Sequence, residues 1–134
     1  GMERPADPLF HNTGLYDFDR EGPYPALDTG LHAVTGRRGD TGRFRAPTLR
    51  NIALTGPYMH DGSIATLGAV VDHYAAGGRA GGEKRLRSPL VRGFETAEDE
   101  KRDLIEFLEC LTDEGFTTDV RFANPWPPGG PRTP

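Results

Sequence analysis

Cysteine is nearly absent from this chain: Cys110 is the only one in 134 residues. That excludes an internal disulfide and any zinc site built on several thiolates. Long apolar runs are missing as well, and nothing approaches the ~18 residues of a membrane-spanning helix. A formal net charge of −4 without a basic cluster leaves no electrostatic footprint for nucleic acid. There is no internal repeat and no secretion signal in these residues. The opening Gly1-Met2 reads as a tag scar ahead of a start codon, so fold arguments begin near Glu3.

What the chain has is glycine and proline, 18 and 12 of them, against a hydrophobic content of 35%. Together they fall just short of the roughly 25–30% that marks a low-complexity protein. The length suits one domain with a modest core. A loop-rich fold is expected, one that needs a cofactor or a partner to complete its interior. Residues 3–45 show neither helical nor alternating period, and Gly14, Gly22, Pro23, Pro25, Gly30, Gly36, Gly39 and Gly42 break them into turns. So long an irregular segment fits a wrapping role, over a flat cofactor or another domain. Residues 46–112 read as a helical core and 113–134 as an extended tail anchored by Trp126.

Helices are expected near 47–54, 64–76 and 97–111. Pro47 suits a first helical position and Gly56-Pro57 closes that segment. In the second, capped by Ser63 or Thr66, Leu67, Val70, Val71 and Tyr74 follow the i, i+3, i+4, i+7 pattern, which leaves His73 toward solvent. In the third, Thr96 is a candidate cap and Glu98, Asp99 and Glu100 suit the positive end of the helix dipole. Leu104, Ile105, Leu108 and Leu111, with Phe107, form its expected buried stripe. Cys110 falls between the faces and reads as a small hydrophobe.

The ordered run PTLRN, T-x-PYMHDG, ATL, VVDHY and GG within residues 42–112, with FHNTGL nearby at 10–15, resembles bacterial di-haem cytochrome c peroxidases and their MauG-type relatives, in the C-terminal haem domain. The resemblance implies an all-α, loop-rich, partial cytochrome c-like domain with little or no sheet. It also implies peroxide-linked electron transfer, haem c, a periplasmic location and an electron-donor protein. In that family the haem is tethered by a C-x-x-C-H motif upstream of this stretch. These residues contain no such motif, so the chain looks like the distal half of a cytochrome c-like domain, either a piece of a longer protein, a truncated gene product or a relative that has dropped its haem. Alone, it is expected to carry no covalent haem and no peroxidase turnover.

Carried over residue by residue, the resemblance implies these roles. Tyr74, fourteen positions after His60, corresponds to the residue that faces the haem iron. Tyrosine there is the MauG-like choice, a hard oxygen ligand suited to ferric iron. His60 lies near the haem pocket, in gating or proton handling, while Met59 packs. Arg45 and Arg50 suit haem propionates, because a guanidinium forks onto a carboxylate. The carbonyls of Thr55 and Pro57 supply part of a calcium shell shared with another domain. No catalytic residue is assigned. Read without the resemblance, Tyr74 is a core tyrosine with a bonded hydroxyl, His60 and His11 fix loops, His32 is exposed, and the arginines pair with local acids such as Asp61.

Two other functions stay open on the sequence. One is a haem-free structural or protein-binding module derived from that domain. The other is a small-metal site from His60, His73 and Asp61 or Asp72, without a recognisable ligand spacing. Without haem, the face made by Leu67, Val70, Val71 and Tyr74 would need cover, from the N-terminal loops or from a second copy in a homodimer.

Overall fold

The structure is a computed structural model and describes residues 9–16, 28–79 and 86–124. Among them are four α-helices: α1 (His32–Thr35), α2 (Leu67–Ala75), α3 (Glu98–Glu109) and α4 (Glu114–Thr118). Single 3-10 turns form at Arg38–Asp40, Ile52–Leu54 and Val120–Phe122. Two short strands, β1 (Phe10–His11) and β2 (Phe44–Arg45), pair antiparallel with Phe10 opposite Arg45.

The all-α expectation with about three helices is therefore corrected. The sheet escaped notice because each strand is too short to show a period, and its partner lies far along the chain. The helix expected near 47–54 is reduced to the Ile52–Leu54 turn. Asn51 stops it, since its φ of 59° is left-handed and cannot continue an α-helix. The residue is held there by two bonds: its N–H donates to the Leu111 carbonyl (3.0 Å), and its Oδ1 accepts from the Asp113 N–H (2.6 Å).

The second and third helices form with shorter ends than expected. Thr66 caps α2 by accepting from the Ala69 N–H at 3.2 Å. At α3 the capping residue is Ala97, not Thr96, and the Glu100 carboxylate accepts the Ala97 N–H at 2.9 Å. The irregular segment contains α1, closed by a left-handed Gly36 whose N–H donates to the His32 carbonyl. The tail is not simply extended either. Asp113 caps α4 through the Phe116 N–H (2.9 Å), and Asp119 accepts from the Arg121 N–H and pairs with its guanidinium. Trp126 lies outside the described residues.

The core is small. Leu15, Leu67, Val71 and Val91 are its buried apolar side chains. α2 packs on α3, with Gly68 open to the Ile105 methyl and Lys101 paired to Asp72 at 2.6 Å. α3 also meets the Ile52–Leu54 turn. Leu104 (39% exposed) and Phe107 (57%) face outward, so the expected buried stripe is only half covered.

Loops 11–16, 77–79 and 86–94 converge on the C-terminal end of α2. Asn12 is buried there and organises them: it donates to the Thr41 carbonyl, accepts from the Gly14 N–H, and its own carbonyl takes the Ser88 N–H. Backbones approach too closely for a side chain. A Cβ on Gly78 would stand 3.0 Å from the Gly14 oxygen, and one on Gly93 2.9 Å from the Ala75 oxygen. Both have φ near the left-handed region, 89° and 80°.

Candidate functional site

The loop at 58–64 is closed by its own ends. The Tyr58 N–H donates to the Ile64 carbonyl at 2.6 Å, and the Ile64 N–H returns a longer bond at 3.4 Å. Within it Met59 has φ 69° and Gly62 φ 68°, two left-handed residues that reverse the chain on either side of His60 and Asp61. For Met59 this is an uncommon conformation and a local strain. Outside the loop, the Tyr58 hydroxyl donates to the Ile52 carbonyl (3.0 Å), tying the loop to the turn before it.

His60 is held by rings. Its imidazole lies on Phe44 with centroids 3.9 Å apart and planes 15° apart. Tyr16 meets it edge-on at 5.8 Å. The Tyr16 hydroxyl donates to Asp61 Oδ2, while Asp61 Oδ1 accepts from the Ser63 N–H at 3.0 Å. The Arg79 guanidinium stands 5.6 Å over the Tyr16 ring, within cation–π range.

The electrostatics follow. Desolvation pushes the Asp61 carboxyl up, but bonds from Tyr16 and Ser63 together with the nearby His60 outweigh it and bring it to about 2. The same bond, with burial and the Asp61 charge, raises Tyr16 above its ordinary value against the opposing pull of Arg79.

Tyr74 lies on α2, half-buried, its ring edge-on to His73 at 5.5 Å. Burial raises its pKa, and among the described residues its hydroxyl has no hydrogen-bond partner. A desolvated, unpartnered phenol differs from the bonded core tyrosine that the residues alone allowed. His73 is half-buried, not solvent-facing, and its Nε2 meets the Thr13 carbonyl at 2.9 Å. Thus the 11–16 segment touches both groups, Tyr74's neighbour through Thr13 and His60 through Tyr16.

The remaining candidates stand apart. Arg45 and Arg50 are exposed and form no ion pair with a described residue. The Thr55 and Pro57 carbonyls, just before the 58–64 loop, accept no hydrogen bond from a described residue. His11 fixes a loop through Ser88 Oγ (3.2 Å), and His32 Nδ1 meets the Arg37 carbonyl (2.9 Å). Cys110 is exposed, contrary to its reading as packing.

The small-metal idea finds no cluster of three acidic, histidine or cysteine side chains among the described residues. Its proposed members have separate partners: Asp61 with Tyr16, Asp72 with Lys101, His73 with Thr13. Sequence reasoning missed Tyr16, Phe44 and Arg79. Tyr16 follows directly on the family-like FHNTGL run, yet its partner Asp61 is 45 residues away and no spacing reveals it.

No family model matches the chain. Individual relatives do. The chain is 40% identical over 112 residues to a cytochrome-c peroxidase, IdrP1, of Pseudomonas sp. (strain SCT), covering 79% of this chain and 29% of that protein. It is 47% identical over 72 residues to the methylamine utilization protein MauG of Methylorubrum extorquens, covering 53% and 19%. Among solved structures, a MauG-like protein associated with microbial copper homeostasis superposes with a TM-score of 0.79 at 49% identity. That match covers 94% of this chain and 41% of that one. The chain belongs to the cytochrome c peroxidase/MauG family. It spans under a third of the length of these two relatives. No helix among the described residues is long and apolar enough to cross a membrane.

Proposed function

We propose that this chain forms the distal wall of a haem site in a periplasmic MauG-like oxidoreductase that couples peroxide to electron transfer. Tyr74 is the oxygen ligand on that side and His60 lies beside the pocket. Arg45 and Arg50, exposed and without an ion pair to any described residue, are suited to fork onto propionates. The Thr55 and Pro57 carbonyls, unclaimed by described donors, contribute to a calcium shell that needs further oxygens from another domain.

The observation that carries this reading is the Tyr74 hydroxyl: half-buried, raised in pKa by desolvation, and unpartnered among the described residues. The hydroxyl oxygen is open on one side and claimed by no described donor or acceptor, and a ferric iron is a fitting partner for a phenol oxygen. Burial makes loss of the Oη proton harder, and a cation at Oη reverses that balance. When bound, haem supplies the redox chemistry. This chain's residues supply the ligand, the walls and the charges around it.

With no C-x-x-C-H in its 134 residues, the isolated chain carries no covalent haem and does not turn over peroxide. The partner it requires is the haem-bearing segment of the family. Titration with ferric haem tests the reading: saturable one-to-one binding, weakened about tenfold or more in Tyr74→Phe, is expected, equivalent to ~1.4 kcal/mol. No saturable binding would favour the haem-free module.

A further inference from the structure

We infer that Tyr16 is a positioning residue for His60, acting through Asp61. The inference rests on the reading of His60 as a pocket residue, but its geometry stands independently of haem. The 58–64 loop is short, and its ladder is uneven, with one firm bond at 2.6 Å and one stretched at 3.4 Å. A left-handed Met59 sits immediately before His60. The Tyr16 hydroxyl supplies a fixed point by donating to Asp61 Oδ2, the side chain next to His60.

The anchor is itself rigid. Leu15, adjacent to Tyr16, is 2% exposed and Asn12 is 5% exposed, so the segment that delivers the phenol is among the best-buried parts of the molecule. Arg79 over the Tyr16 ring is in turn held through its N–H to the Gly14 carbonyl (2.9 Å). His60 is also stacked on Phe44, one residue of β2, whose partner β1 begins the same N-terminal segment. Strand pairing and phenol anchor therefore come from one stretch, and the imidazole meets a ring positioned by each. A histidine at a reactive pocket works only in a defined orientation, and held this way its orientation is set before any ligand arrives.

The test uses the whole 134-residue chain and the ring-proton NMR signals of His60. Stacking on Phe44 displaces these signals upfield, and Phe44→Leu gives their unstacked reference. Tyr16→Phe keeps the edge contact and removes only the hydroxyl, while Asp61→Ala removes the acceptor from the other end. Each is expected to move the His60 signals toward the Phe44→Leu position, and the double variant no further than either alone. The methyl signals of Leu15 and Val71 should stay in place, which separates loss of positioning from loss of fold. His60 signals unmoved in whichever single variant folds overturn the inference, as do displacements that simply add in the double. Failure of the haem reading shows in the haem titration of Tyr74→Phe and leaves these signals untouched.

Discussion

The side-chain oxygen of Asn51 accepts the backbone N–H of Asp113 at 2.6 Å, across 62 residues of chain. With the Asn51 N–H on the Leu111 carbonyl, this contact joins the turn before the 58–64 loop to the start of α4 and holds the left-handed residue at which the helix expected from Pro47 onward gives way to one 3-10 turn. Asn51→Gly keeps the left-handed backbone and loses the bond, with an expected cost of about 1 kcal/mol. Asn51→Leu adds a backbone penalty of roughly 1–2 kcal/mol. Urea unfolding of both variants measures the two contributions separately; equal losses would show that the backbone conformation carries no strain.

The close approach at Gly93 gives a second prediction. With φ 80° and a Cβ that would stand 2.9 Å from the Ala75 oxygen, Gly93→Ala is expected to lower stability by about 1–3 kcal/mol. The bond from the Phe94 N–H to the same oxygen should loosen with it, visible as faster amide exchange at Phe94. Unchanged exchange and an unchanged unfolding midpoint would contradict the packing described.

Much of the helical framework was legible. Leu67 and Val71 as core positions follow from spacing alone, because α2 is amphipathic and ends at two glycines, while the cap, open between Ser63 and Thr66, is Thr66. The stripe of α3 was read too generously. Its periodicity reports which residues want cover, whereas only the Lys101 and Ile105 edge meets α2 within this chain. Phe107→Ser should accordingly change stability by less than ~0.5 kcal/mol, while Leu67→Ala should cost about 2–5 kcal/mol. A large loss in Phe107→Ser would mean that the outer face of α3 is covered in solution.

The sheet and the grip on His60 were not legible, for one physical reason. β1 with β2, Tyr16 with Asp61, and Asn12 with Thr41 are all long-range pairings made by residues in loops or in two-residue strands. Periodicity carries no information at that scale. Family-like motifs mark His60 and Tyr74 but not the groups that surround them.

The Tyr16–Asp61 bond predicts two pH windows. The Asp61 carboxyl is lowered to about 2 in the folded chain, so its stabilisation is complete above the ordinary value of about 3.9 and is lost as pH falls toward 2. Tyr16 is raised, so its contribution is complete below the ordinary value of about 10 and is lost as pH climbs through the higher folded value. Urea midpoints of wild type and Tyr16→Phe should therefore converge at both extremes and differ between them. Parallel profiles across the whole range would argue against the bond.

The central claim is that the Tyr74 oxygen faces a haem iron, and resonance Raman spectroscopy of the chain mixed with ferric haem tests it most directly. Excitation into a phenolate-to-iron charge-transfer band should enhance tyrosinate ring modes together with an iron–oxygen stretch. These modes should vanish in Tyr74→Phe and persist in Tyr58→Phe, whose hydroxyl is already committed to the Ile52 carbonyl. Haem that binds without tyrosinate modes, or modes that survive Tyr74→Phe, would contradict the account.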